Sequence, residues 1–321
     1  MEFLGANATI KGPSGRVQSY FDCSGATNIT FRGLVFDQLK ASLPTYTSSD
    51  YAGGPLNVPI YMDGGEGLSV VDCTFNNLYT TAIYFDSATG LKVTGNKFSS
   101  GTQTQDQWMQ HIHLQTCSDV FIDRNDFINA APASAAVVPA GIYGSGMIRL
   151  TITNNYMKYC GRDNTGTHRV GAIDIYGDCE TFLIENNVLD DCMAVAMRIN
   201  AVKDGVITKN TIKVNAAAEL DGNTIEVTGV TLFGGIKGAT NIEVSHNTIE
   251  DPDQRAATSI LIAAYDFGYP CRQIKVRHNT FSSSRKSVVA VGGWDGIRIE
   301  NNKSGEGAGQ IAAERLSLIH I

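Results

Sequence analysis

One phrase recurs along the chain and restricts what it can fold into. The pieces "LKVTGNKF", "VFIDRNDF", "LTITNNYM", "FLIENNVL", "GVITKNTI", "IEVSHNTI", "IKVRHNTF" and "IRIENN" are versions of it. Two apolar residues alternate with polar ones, an Asn follows, then one variable residue and a large apolar side chain. The Asn stands at Asn96, Asn125, Asn155, Asn187, Asn210, Asn247, Asn279 and Asn302. Two earlier copies, "ITFRGLVF" and "LSVVDCTF", put Leu34 and Cys73 in that column. Successive columns are 39, 23, 29, 30, 32, 23, 37, 32 and 23 residues apart. Strands of four or five residues joined by tight turns close one coil of a solenoid in the recurring minimum of 23. The longer spacings add a loop of 6 to 16 residues to that coil. Period-two alternation excludes a helical repeat, and the Leu-rich phrase of leucine-rich repeats is absent. The expectation is an all-β chain, a parallel β-helix of about ten coils forming a single domain over residues 1–315.

The bulk properties agree. Of 321 residues, 43% are hydrophobic and only 18% charged, so the chain can fill a core and is not disordered. A net charge of −7 argues against nucleic acid or an anionic membrane as partner, and no apolar run is long enough to insert into a bilayer. Seven Cys lie scattered without a C-x-x-C pair, which favours buried thiols over disulfides or a zinc site, including Cys160 and Cys192, which share a column. The start, "MEFLGANATIKGPSG", has neither a basic n-region nor an apolar h-region, so no secretory signal is read there. At the other end, residues 316–321, "LSLIHI", break the pattern. Back-translated, they match the transposase end sequence used in DNA sequencing libraries. They are set aside as a sequencing-adapter translation, and the chain is expected to be truncated at one or both ends.

The phrase "I-x-V-x-x-N-x-F", running over residues 28–302, resembles that of the right-handed parallel β-helix proteins of the pectate-lyase type. The resemblance implies a ladder of stacked Asn at the bend between two sheets, where Asn tolerates left-handed backbone. It also implies activities drawn from polysaccharide lyases, glycoside hydrolases, epimerases and phage tailspikes, and an extracellular or virion-associated location. The fold itself does not choose among these. The Asn-Thr-Asp, Asp-Asp, Gly-His-Gly and Arg-Ile-Lys set of polygalacturonase-type hydrolases is not found in place: Asp190 and Asp191 fall within the repeat phrase. The Arg-plus-Pro signature of the best-known pectate lyases is not evident either.

A second strand precedes each Asn column by about 13 residues: "IYMD" from Ile60, "IYFD" from Ile83, "IHLQ" from Ile112, "IYGS" from Ile142, "IDIY" from Ile173, "MRIN" from Met197 and "VAVG" from Val289. Ile173 lies one residue further back, and keeping it inside requires an extra residue in the following turn. With first and third positions in the core, the second and fourth form outward columns. One reads Tyr61, Tyr84, His113, Tyr143, Asp174, Arg198, and its neighbour Asp63, Asp86, Gln115, Ser145, Tyr176, Asn200. His111 is expected on the same face as His113. The columns fade toward Thr231, Phe233, Leu261, Ala263, Ala290 and Gly292. The insertions "ASLPTYTSSDYAGGPLN", "GTQTQDQW", "APASAAVVPA" and "GRDNTGTHRV" fall beside this strip and would make it a groove.

Aromatics, carboxylates, His and Arg suit a polysaccharide: Tyr faces for sugar rings, charged groups for hydroxyls and uronates. The plain alternative is cross-strand pairing for stability. A lyase needs a base and a group to neutralise the uronate carboxylate; His113 or Tyr143 is a candidate base, and Arg198 a candidate neutraliser or base. A hydrolase needs paired carboxylates, for which Asp63, Asp86 and Asp174 are the candidates. Tyr61, Tyr84, Asp63, Asp86, Gln115, Tyr176, Asn200, His111 and His168 complete the candidate substrate contacts. No cofactor is required, though Asp63 with Asp86 are candidate calcium ligands. His246 and His278 share a column before the Asn, where solvated turn residues are favoured over a metal pair. Cleavage, with a lyase slightly ahead, is the leading expectation. Its rivals are a non-catalytic glycan-binding tailspike or adhesin, the former expected as a homotrimer, and a structural solenoid.

Overall fold

In the computed structural model the repeat phrase closes into coils as expected. The structure describes residues 1–5, 8–11, 19–38, 57–78, 80–100, 110–129, 140–161, 171–192, 195–214, 223–229, 238–254, 256–264, 270–282, 286–291, 294–305, 312–314 and 319–320. A typical coil has three strands: a strip strand such as Gln110–Gln115, a phrase strand such as Ser118–Asp123, and a short strand such as Asp126–Asn129. Every strand pairs in parallel with its counterpart one coil away. The strip register runs Ile60, Ile83, Ile112, Ile142, Ile173, Met197, Ile225, Ile260, Val288, all buried. In Gly171–Glu185 and Val195–Thr208 the strip and phrase strands run on without a break, which joins both faces into one sheet.

The short strands form a second sheet of eleven strands among the described residues. The coil not anticipated is the first, Thr9–Lys11, where Ala8 occupies the Asn column and leaves no amide to read. Inside this sheet Phe36, Phe75, Phe98 and Phe127 stack with centroids 4.8 Å apart and planes within 5°. That spacing is the strand separation itself, so the ring ladder follows from the register.

The Asn ladder is present. Each Asn from Asn96 to Asn279 donates its backbone N–H and a side-chain N–H to the Oδ1 of the next, at 2.9–3.0 Å. The left-handed residue, however, is the one before it. Arg124, Asn154, Asn186, Lys209, His246, His278 and Asn301 all have φ between 53° and 58°. A non-glycine residue there costs roughly 1–2 kcal/mol, and the ladder hydrogen bonds that the bend permits offset it. His246 and His278 thus sit at exposed turn positions, their rings stacked 5.0 Å apart. All seven cysteines are free and buried, Cys160 and Cys192 included.

The extra residue expected after Ile173 lies at Gly177–Asp178, where the pairing shifts between Tyr176 and Cys179 and both residues have positive φ. Ile173 and Ile175 stay inside. Three later coils depart from the expected offset, with Ile225, Ile260 and Val288 in the inward column. After Arg198 and Asn200 the columns continue to Glu226 and Thr228; Thr231 and Phe233 lie outside the described residues. In the next coils Leu261 pairs with Val289 and Ala263 with Val291, so Ala290 faces inward.

Candidate functional site

The strip strands carry a first outward column of Asp22, Tyr61, Tyr84, His113, Tyr143, Asp174, Arg198 and Glu226, one per coil. The second reads Asp63, Asp86, Gln115, Ser145, Tyr176, Asn200 and Thr228. Eleven of the thirteen residues expected at the site are therefore brought together on one face. His168 lies outside the described residues, as do most of the four insertions. His111 is a correction. Its ring turns into the solenoid beside the stacked Phe98 and Phe127 rings, at centroid distances of 5.9 and 5.7 Å, and is fully buried. Gln110, His111 and Ile112 are buried in succession, so the strand alternates only from Ile112 onward.

Four rings of the first column stack on one another. Centroids are 5.5 Å apart for Tyr61–Tyr84, 4.4 Å for Tyr84–His113 and 4.8 Å for His113–Tyr143. Their faces are spent on each other, so the strip offers ring edges and hydroxyls rather than the open faces expected for sugar stacking. The Tyr84 hydroxyl lies 3.4 Å from Gln115 Oε1. His113 Nδ1 lies 3.0 Å from Gln110 Oε1. The two ring nitrogens thus face amide groups, Gln110 at Nδ1 and Gln115 elsewhere on the ring. Burial lowers the His113 pKa to about 4, with a hydrogen bond to Gln115 opposing. Burial raises Tyr143 to about 12, and the Asp174 charge adds to the rise. Tyr84 is raised to about 12 by the same two causes, burial and then Asp86.

Above the rings lies a buried ion pair. Arg198 donates from Nε to Asp174 Oδ1 at 3.0 Å and from Nη2 to Oδ2 at 2.6 Å. The Asp174 side chain is fully buried, and that of Arg198 is 20% exposed. Burial pushes the Asp174 carboxyl up, against the pull of Arg198. Burial also works against the Arg198 charge, but Asp174, and more weakly Glu226, outweigh it and raise its pKa. Glu226 is buried and accepts from Asn223 Nδ2 at 2.7 Å. The Arg198 guanidinium lies 5.7 Å over the Tyr176 ring. Thr228 donates to Asn200.

Sequence reasoning missed Asp22 and Glu226. Counting back 13 residues from Leu34 reaches Phe21 and would have found Asp22. Glu226 gave no such signal, because its coil carries much of its insertion after the strip strand. Among the described residues no group of three or more His, Cys, Asp or Glu is placed to hold a metal ion.

A family model described as the right handed beta helix region matches residues 57–256. The chain belongs to that family. Solved structures place the same fold around this right-handed β-helix. It superposes on the surface adhesin PfbA of Streptococcus pneumoniae with a TM-score of 0.54 at 12% identity, covering 92% of this chain and 72% of that one. An alginate lyase from Paenibacillus sp. str. FPU-7 gives 0.56 at 11%, covering 90% and 97%. A mutant tailspike protein of E. coli bacteriophage HK620 in complex with a pentasaccharide gives 0.57 at 14%, covering 88% of this chain and 49% of the tailspike. No curated protein sequence matches the β-helix. No helix among the described residues is long and apolar enough to cross a membrane.

Proposed function

We propose that this β-helix binds an extended polysaccharide along the strip and cleaves it by β-elimination at the coils of His113, Tyr143 and Arg198. One observation carries the reading: a neutral imidazole, a protonated phenol and a guanidinium stand in one column within four successive coils. Elimination from a uronate needs a base for the proton α to the carboxyl group, a proton donor for the leaving oxygen, and donors for the carboxylate as charge builds on it. His113 is the base, since burial keeps the ring neutral. Tyr143, raised to about 12, holds its proton and gives it to the leaving oxygen. The C–H and C–O bonds break, a C=C bond forms, and the proton on His113 returns to the phenolate through solvent. Arg198 spends two of its five N–H donors on Asp174 and keeps the rest for the carboxylate. Its raised pKa suits that role and not a base's. Asp174 is a positioning residue that fixes the guanidinium plane.

Tyr61 and Tyr84 hydroxyls, Gln115, Tyr176, Asn200 and the carboxylates of Asp63 and Asp86 then bind sugar hydroxyls. The alginate lyase and the pentasaccharide-bound tailspike support a glycan as occupant by analogy of fold, as they do an extracellular or virion setting. The mutual stacking of the rings favours a second reading, a non-catalytic recognition surface, and the adhesin shares the fold. Incubating the purified chain with acidic and neutral polysaccharides separates them. Ultraviolet absorbance from unsaturated uronates, matched by new reducing ends, supports elimination, and Tyr143→Phe should then lower kcat by about 10²–10⁴-fold. Reducing ends without absorbance sink elimination and move the chemistry to Asp63 and Asp86, one coil apart. Binding without either product leaves recognition alone.

A further inference from the structure

The charges of the strip are unevenly spread along its length. Among its described residues Arg198 is the one cation, and it lies between Asp174 and Glu226 in the column. Toward the N-terminal coils stand Asp22, Asp63 and Asp86. Among the described residues the partners of Asp22 and Asp86 are neutral: the hydroxyl of Ser24 donates to Asp22 at 2.6 Å and that of Ser87 to Asp86 at 3.0 Å. Asp63 and Asp86 are directly paired across adjacent strands, and Asp22 sits diagonally one coil below Asp63. After burial, these same three carboxylates are what raise the Tyr61 hydroxyl, a sign that their fields converge there. At about 4.8 Å per coil, Asp86 is four coils, or roughly 19 Å, from Arg198. Screening at physiological salt acts over about 8 Å, so Arg198 does not offset the acidic end.

An occupant with a carboxylate on every sugar would set several of them against Asp22, Asp63 and Asp86. A pyranose repeat is comparable with one coil, so the mismatch recurs with each sugar. We propose that the strip selects a heteropolysaccharide, one uronate at the coils of His113, Tyr143 and Arg198 followed by neutral sugars over Asp86, Asp63 and Asp22, and disfavours a homopolymer of uronates. The inference rests on the elimination reading of the same site. Neutral hydroxyls suit the acidic end, because a carboxylate accepts hydrogen bonds from them.

The test compares initial rates of unsaturated-uronate formation, and binding, on polygalacturonate and on a heteropolysaccharide whose single uronate per repeat is separated by neutral sugars. The heteropolysaccharide should be favoured by tenfold or more at low ionic strength, with the ratio shrinking as salt is added. Asp63→Asn with Asp86→Asn should shrink the ratio in the same direction, by about tenfold at low salt. The salt series on the unsubstituted chain gives the same answer if the double variant fails to fold. Equal or better turnover of polygalacturonate, with or without added calcium, overturns the selection while leaving elimination standing. A ratio indifferent to both salt and substitution also overturns it. Absence of product on every polysaccharide overturns the elimination reading, and the selection with it.

Discussion

His111 shows how one residue departs from its strand's pattern. Both ring nitrogens are buried beside the stacked Phe98 and Phe127 rings, with no well-formed hydrogen bond among the described residues and only a weak pull from Asn129. Burial drives its pKa down to about 3. The unfolded chain binds this proton near pH 6.5 and the folded chain only near 3, so the unfolded state holds more protons in between. Stability is therefore intact above pH 6.5 and is lost as the pH falls, by on the order of 5 kcal/mol across that window from this residue. His113, lowered to about 4, works in the same direction. Asp174, raised by burial, works the other way and favours the fold toward acid. His111→Phe would place a third phenyl ring beside Phe98 and Phe127 and remove the titration. It should leave the melting temperature at pH 7.5 within a few degrees and flatten its decline between pH 6 and 4. A variant as acid-sensitive as the parent would refute the assignment.

Among the elements, the Asn bend explains both what the sequence disclosed and what it hid. Asn155 accepts from the backbone and side-chain N–H of Asn125 and donates to Asn187 and to the Ile122 carbonyl. Asn155→Ala leaves buried donors of Asn125 unmet, at about 3 kcal/mol in urea unfolding. Asn302→Ala, at the half-exposed end of the ladder, should cost nearer 1 kcal/mol, since water can replace it. Equal losses at the two sites would mean that the ladder is not what is being lost. The periodic Asn made the phrase strands legible, and a fixed offset from them made most of the strip legible. That offset holds only while insertions fall between the short strand and the next strip strand. Between Asn200 and Asn247 one falls after the strip strand Asn223–Gly229, so Glu226 and Thr228 were hidden. At Val288–Val291 the turn is a residue longer, which reversed the faces of Val289 and Ala290. Ring orientation was not legible at all: the column named the rings, but their stacking depends on side-chain torsions that no pattern of residues records.

Across the whole molecule, a solenoid interacts mainly with its own neighbours, and its binding surface is close to one-dimensional. Contacts along the strip should then accumulate coil by coil. The proposed chemistry lies at coils four to seven of the eight from Asp22 to Glu226, so the strip is asymmetric about it. From Arg198 to Asp63 is five coils, about 24 Å, whereas only Glu226 and Thr228 extend the polar columns beyond Arg198 and Asn200. Binding energy from those remote contacts is available to hold the reacting sugar in place, so it should appear in kcat as well as in KM. For size-defined oligosaccharides, kcat/KM should climb as sugars are added toward the Asp63 end, until the chain spans it. Sugars added on the Glu226 side should contribute little. Product lengths give the check: cleavage should leave the longer fragment on the Asp63 side, and a symmetric product distribution would contradict an occupant lying along these columns.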